Sequence, residues 1–126
     1  MSKARPVNLD LKTIRLPITA IVSIVHRVSS VILWVSMAIF LPVLYLSLAS
    51  ENGFGDMLGF FDQNPLGKFV VWGLMTAFGY YFCATIKHII QDFGHCEELD
   101  SGKSISIAVL VISGCFCVLS GVWVWA

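Results

Sequence analysis

Charge is what this chain has least of. Only 13% of its 126 residues are Asp, Glu, Lys or Arg, and three stretches carry none at all: Val28 to Ser50, Phe69 to Ile86, and Ser104 to Ala126. Soluble domains carry about 25%. Catalytic signatures are missing too: the sequence has no phosphate-binding P-loop, no dinucleotide fingerprint, no serine triad and no zinc motif. The segments between the apolar stretches are too short to bury a core of their own, which excludes a soluble catalytic domain. Any chemistry must then run in or beside a membrane, with the difficult steps carried by cofactors or partner chains. Cysteine is also sparse. Cys83, Cys96, Cys115 and Cys117 form no metal or disulfide pattern and no C-x-x-C-H haem-attachment site, so they read as small apolar packing residues.

What is present is hydrophobic: 57% of residues by count, with a mean hydropathy of +0.83. The three uncharged stretches are 23, 18 and 23 residues long, and a helix needs roughly 20 residues to cross a hydrocarbon core of about 30 Å. The second reaches that length by taking in Leu66 and the stem of Lys87. The expected fold is an all-α membrane protein with three transmembrane helices, at about 18–49, 66–90 and 104–126. They are expected to form a single transmembrane domain over residues 1–126, with residues 1–16 as a cytoplasmic arm.

Orientation follows from the cations. Lys3, Arg5, Lys12, Arg15 and Arg27 precede the first stretch, the first loop holds only Lys68, the second holds Lys87 and Lys103, and the C-terminus has none. The N-terminus and second loop are therefore expected in the cytoplasm. A formal net charge of zero hides this asymmetry, and nucleic acid is not among the expected partners. The apolar segment Ile18 to Val25 is interrupted by His26 and Arg27 and lacks a small-residue cleavage site, so it does not read as a cleavable signal.

Local signals complete the outline. Asn8 or Asp10 can cap a short turn through Arg15, Pro17 suits a first helical turn, and Pro42 should bend the first long helix. The first loop mixes Phe54, Met57, Leu58, Phe60 and Phe61 with Gly, Asp and Asn, as an amphipathic piece in the outer interface would. In the third stretch Ser106, Ser113 and Ser120 recur every seven residues, with Gly114 and Gly121 one position on. Small side chains of this kind serve close helix packing. Trp123 and Trp125 fit an aromatic belt at the outer surface. Three helices make a thin bundle, so a second membrane subunit is expected beside them.

Ser23, His26 and Arg27 stand just before the first uncharged stretch, at spacings of three and four that share one helical face. A hydroxyl, an imidazole and a cation at the entrance to hydrocarbon can meet a polar head whose tail prefers lipid, as in a quinone. Taken singly they have plainer readings: Arg27 as a snorkelling, topology-setting cation, His26 as an interface histidine, Ser23 as a packing residue. Asp92, His95, Glu97, Glu98 and Asp100 form an acidic cluster whose default reading is a solvated loop. The adjacent His95 and Cys96 are too few to argue a metal site.

Arg5, Pro6, Val7, Asn8, Leu9, Asp10 and Leu11, followed by Ile18, Thr19, Ala20, Ser23, His26, Arg27 and Ser29, resemble the N-terminal signature of the succinate dehydrogenase cytochrome b556 family. A second block, Trp72, Gly73, Thr76, Ala77, Tyr80, Lys87, His88, Asp92, Phe93, Gly94, Glu97 and Glu98, resembles the same family's second helix and following loop. The resemblance spans nearly the whole chain. It implies the large membrane anchor of succinate:quinone oxidoreductase, held with a second anchor subunit, an iron–sulfur subunit and a flavoprotein subunit. FAD and iron–sulfur clusters would sit in those partners, with ubiquinone or menaquinone as electron acceptor. It also implies that Ser23 and Arg27 help form the quinone pocket, that His26 lies near haem propionates, and that the acidic loop helps dock the iron–sulfur subunit. An anchor of fumarate reductase is the alternative within the family, and a small helical transporter the alternative outside it. A transporter needs an ionisable group on its membrane path, and the three stretches offer none.

The resemblance fails at the implied haem b. The family's axial histidine precedes by seven positions the histidine that follows a basic residue, and counting back from His88 lands on Tyr81. Where the family has a small residue this chain has Thr85, and Lys87 replaces the usual arginine. Three readings of Tyr81 stand. The complex lacks haem, or holds it through the partner anchor, and Tyr81 is a buried aromatic. Alternatively a tyrosinate ligates iron, at the cost of a buried anion. In the third His88 substitutes, but it lies about 10 Å further along the axis and reads better as a hydrogen-bonding residue near propionates, quinone or a partner.

Overall fold

The computed structural model describes residue 10, residue 12 and residues 14–126; most of the expected N-terminal arm, with Lys3, Arg5 and the candidate cap Asn8, lies outside the described residues. Four helices follow in order: α1 (Ile18–Ala49), α2 (Glu51–Gln63), α3 (Pro65–Asp92) and α4 (Leu99–Trp125). Among the described residues there is no strand. Helices α1, α3 and α4 are each long and apolar enough to cross a membrane.

Each helix begins and ends for a local reason. Pro17 precedes α1 in an extended conformation, and its carbonyl accepts the N–H groups of Ala20 and Ile21 at 3.0 and 3.1 Å. At 1.5 Å per residue the 32 residues of α1 extend about 48 Å, and Pro42 lies inside it without ending it. Ser50 then breaks the chain into extended geometry and caps the next helix, its hydroxyl accepting from Gly53 N–H at 2.9 Å. Thus the aromatic-rich first loop is helix α2, with Phe54 and Leu58 exposed one turn apart. Asn64 caps α3 through Leu66 N–H at 2.9 Å, with Pro65 in the first turn. Gly67 sits where α2 meets α3, and a Cβ there would run into the Phe60 carbonyl.

α3 ends in a Schellman turn. Gly94 takes φ +83°, its N–H reaches the Gln91 carbonyl at 2.9 Å, and His95 N–H reaches the Ile90 carbonyl at 3.2 Å. The acidic segment is correspondingly short: Asp92 closes α3, and Leu99 and Asp100 already belong to α4.

The three serines of the seven-residue repeat in α4 face inward, while Gly114 is exposed. Gly102, Ser106, Val109, Ser113 and Ser120 are all buried, and Val109 joins Val22 of α1 with Tyr80 and Ala84 of α3 in the core cluster. Ser106 satisfies its own hydroxyl on the Gly102 carbonyl at 2.8 Å, the usual solution for serine in an apolar helix. Higher up, Trp72 Nε1 donates to the Cys117 carbonyl at 2.9 Å. Lys87 departs from the snorkelling expected of it: it is only 3% exposed and turned into the bundle, where Nζ donates to Gln91 Oε1 at 3.2 Å. Gln91 in turn donates to the Cys96 carbonyl at 3.2 Å, tying the end of α3 to the turn that follows. Much of α1 faces outward, with Trp34 78% and Leu48 75% exposed. So large an apolar surface belongs in lipid or against another chain.

Candidate functional site

The site grows from one contact between α1 and α3. Val22 and His26 are one turn apart, so the helical ladder gives the Val22 carbonyl to His26 N–H. That same carbonyl also accepts the Tyr80 hydroxyl at 2.6 Å. A carbonyl oxygen has two lone pairs and can serve both donors. The bond fixes α3 against the turn of α1 that carries His26.

With that register set, the next face of α3 meets His26 directly. Tyr81, Thr85 and His88 are spaced by four and three residues and share this face. The Tyr81 ring stacks on the His26 ring at a centroid distance of 4.8 Å and an interplanar angle of 13°. His88 approaches from the other turn at 5.0 Å and 49°. Between them, His26 Nε2 lies 3.0 Å from Thr85 Oγ1.

Thr85 Oγ1 also reaches the Tyr81 carbonyl at 2.7 Å, so one hydroxyl links the backbone of α3 to the imidazole of α1. Which partner donates across the His26–Thr85 contact follows the tautomer of the imidazole. The charges of Lys87, Arg27 and Asp92 all act on His88, and that of Lys87 also acts on His26.

Ser23 and Arg27 flank this cluster on α1. Ser23 is half-buried and Arg27 exposed, and among the described residues no hydrogen bond or salt bridge takes up either side chain. Both groups are thus available to a ligand. A groove of about 260 Å³ opens further along α1, lined by Ser30, Leu33, Trp34, Met37 and Tyr81. A larger one of about 450 Å³ lies between α1, α3 and α4, and includes Ser29, Trp72, Thr76, Tyr80, Ser113 and Cys117. Among the described residues the buried hydroxyls of Thr76 and Ser113 have no hydrogen-bond partner.

The structure brings His26, Tyr81 and His88 into one contact and keeps Ser23 and Arg27 beside it without bonding them to it. Sequence reasoning missed Tyr80 as the register pin and Thr85 as the hydrogen-bond partner of His26. The only signal for Thr85 was its place where the resembled family keeps a small residue.

Fold and site together define a small helical membrane protein whose polar groups gather at one end of the bundle, on the helix that enters the apolar layer. Residues 1–121 match the family described as Succinate dehydrogenase/Fumarate reductase transmembrane subunit. Similar proteins include the succinate dehydrogenase cytochrome b556 subunit of Coxiella burnetii (strain RSA 493 / Nine Mile phase I), 34% identical over 99% of this chain and 100% of that one. The corresponding subunit of Paracoccus denitrificans is 27% identical over 92% of this chain and 88% of its own length. The chain belongs to the succinate dehydrogenase/fumarate reductase transmembrane subunit family, and it is a membrane anchor subunit.

Proposed function

We propose that this anchor holds the soluble subunits of a succinate:quinone oxidoreductase at the cytoplasmic face of a bacterial inner membrane and supplies part of the site where quinone is reduced. The observation that carries the reading is the pairing of an uncommitted guanidinium and hydroxyl, Arg27 and Ser23, one turn apart where α1 enters its uncharged stretch. Oxidation of succinate to fumarate in the flavoprotein releases two electrons and two protons. The electrons travel through the iron–sulfur subunit, and quinone takes both, with two protons from water, to become quinol. Arg27 keeps its charge throughout and donates to a carbonyl oxygen as electron density grows there. Ser23 donates to the quinone and accepts from the quinol, because a hydroxyl does both. His26 and His88 stand in the vicinity of that head group.

Partner chains suit the surface that the three long helices leave uncovered. The outward apolar side chains of α1 support a second anchor subunit packed on this one. The short acidic segment from Asp92 to Asp100 is suited to docking the iron–sulfur subunit. Fumarate reduction by the same parts is the reverse reaction, and the family description covers both.

In a purified complex Arg27→Leu should depress succinate:quinone reductase activity by about tenfold or more, the worth of one hydrogen bond from a charged group. Succinate oxidation by an artificial acceptor should persist. Equal loss of both would mean that Arg27 serves assembly and not the quinone. Isolation of the chain as a homo-oligomer, without flavin and iron–sulfur partners, would favour transport.

The relatives' name, cytochrome b556, brings haem b into consideration. The residues present do not fit it. Tyr81 stands in the position of the axial ligand, with one face against His26 and Thr85 bonded beside it. No step of the proposed reaction runs through haem.

A further inference from the structure

Haem iron needs at least one axial ligand, drawn in proteins from His, Cys, Met or Tyr. At the α1–α3 contact the candidates are His26, His88 and Tyr81, and each is already placed. His26 Nε2 is committed to Thr85 at 3.0 Å. Its ring has Tyr81 at 4.8 Å and His88 at 5.0 Å, distances at which rings touch. A porphyrin is a flat plate wider than any of these rings, and to stand against one it must push the other two apart.

The neighbouring groove offers no better site. Its possible ligands are the Tyr81 phenol and the Met37 thioether, among Ser30, Leu33 and Trp34. A phenol must lose its proton to bind ferric iron strongly, and no cation lines this wall to offset the buried anion.

We propose that this anchor is haem-free, with the His26–Tyr81–His88 cluster, pinned by Thr85, serving as a protein-only brace between α1 and α3 where a cytochrome would hold its porphyrin. The inference rests on the anchor reading, and adds that electrons pass from the partner's iron–sulfur cluster to quinone with no haem ligated by this chain. The brace is self-sufficient: stacking and one hydrogen bond join residues 26, 81, 85 and 88 without a prosthetic group.

The test is the haem content of the assembled complex, measured by reduced-minus-oxidised spectra of membranes that overproduce it and by pyridine haemochromogen extraction of the purified complex. The expected result is flavin and iron–sulfur cluster in full, quinone reductase activity, no b-type α band in the purified complex, and none in the membranes beyond that of control membranes lacking the complex. Reading the membranes as well as the purified complex excludes loss of haem during extraction. One haem per chain in either preparation overturns the proposal, whatever its ligand. Absence of flavin and iron–sulfur partners is a separate outcome that overturns the anchor reading, while the haem content of the chain is still read in the same sample.

Discussion

Two hydroxyls join α3 to α1, and removing them should have unequal effects. Tyr80 donates to the Val22 carbonyl, which keeps the helical N–H of His26 when Tyr80→Phe removes the phenol. No polar atom is orphaned, so the cost is that of one intramembrane hydrogen bond, about 0.6 kcal/mol and at most about 1.7. Thr85→Val removes the hydrogen-bond partner of His26 Nε2 while nearly preserving shape. The Tyr81 carbonyl still has its helical partner, but the half-buried imidazole nitrogen beside Tyr81 and His88 loses its own. A polar group left unsatisfied on burial costs about 1–3 kcal/mol, and half-burial puts this one at the lower end. The assay is thermal unfolding of the complex in detergent, followed by release of this chain. Thr85→Val should lower the midpoint more than Tyr80→Phe, and Thr85→Ser, which restores the oxygen, should recover most of the loss. A larger effect from Tyr80→Phe, or no recovery with serine, would refute the His26–Thr85 hydrogen bond and with it the brace.

Other substitutions probe the bundle. Gly67→Ala puts a methyl group against the backbone of Phe60, which cannot swing away, so the α2–α3 junction should lose roughly 1–3 kcal/mol; the same unfolding assay measures it. Lys87→Met removes a buried cation whose hydrogen-bond partner is a neutral amide, and should leave the midpoint unchanged or raise it. Lys87→Glu, which places an opposite charge in the same apolar surroundings, should lower it sharply, and equal effects of the two would show that Lys87 is solvated in the assembled complex.

The long helices were legible because the absence of charge over 18 to 23 residues is a one-dimensional signal. Helix α2 was partly legible: the alternation of Phe and Gly with acids marked an amphipathic segment, and Ser50 and Asn64 are ordinary caps, but its continuity depends on Gly67 letting α3 come close. The inward turn of Lys87 was not legible. A cation at the edge of an apolar stretch reads as snorkelling, and only the packing of α4 on Tyr80 and Ala84 shows that position 87 lies on the covered face. The site divides in the same way. Ser23, His26 and Arg27 belong to one helix, where spacing alone puts them together. The meeting of His26 with Tyr81, Thr85 and His88 spans more than fifty residues of chain, and is set by the register that the Tyr80–Val22 bond imposes.

The central claim is that the quinone head docks between Ser23 and Arg27, and photolabelling tests it most directly. An azidoquinone irradiated in the complete complex should mark the segment from Val22 to Ser30, with labelling suppressed by excess natural quinone and reduced in Arg27→Leu. Competable label confined to other segments or to the partner chains, with this segment unmarked, would contradict the account.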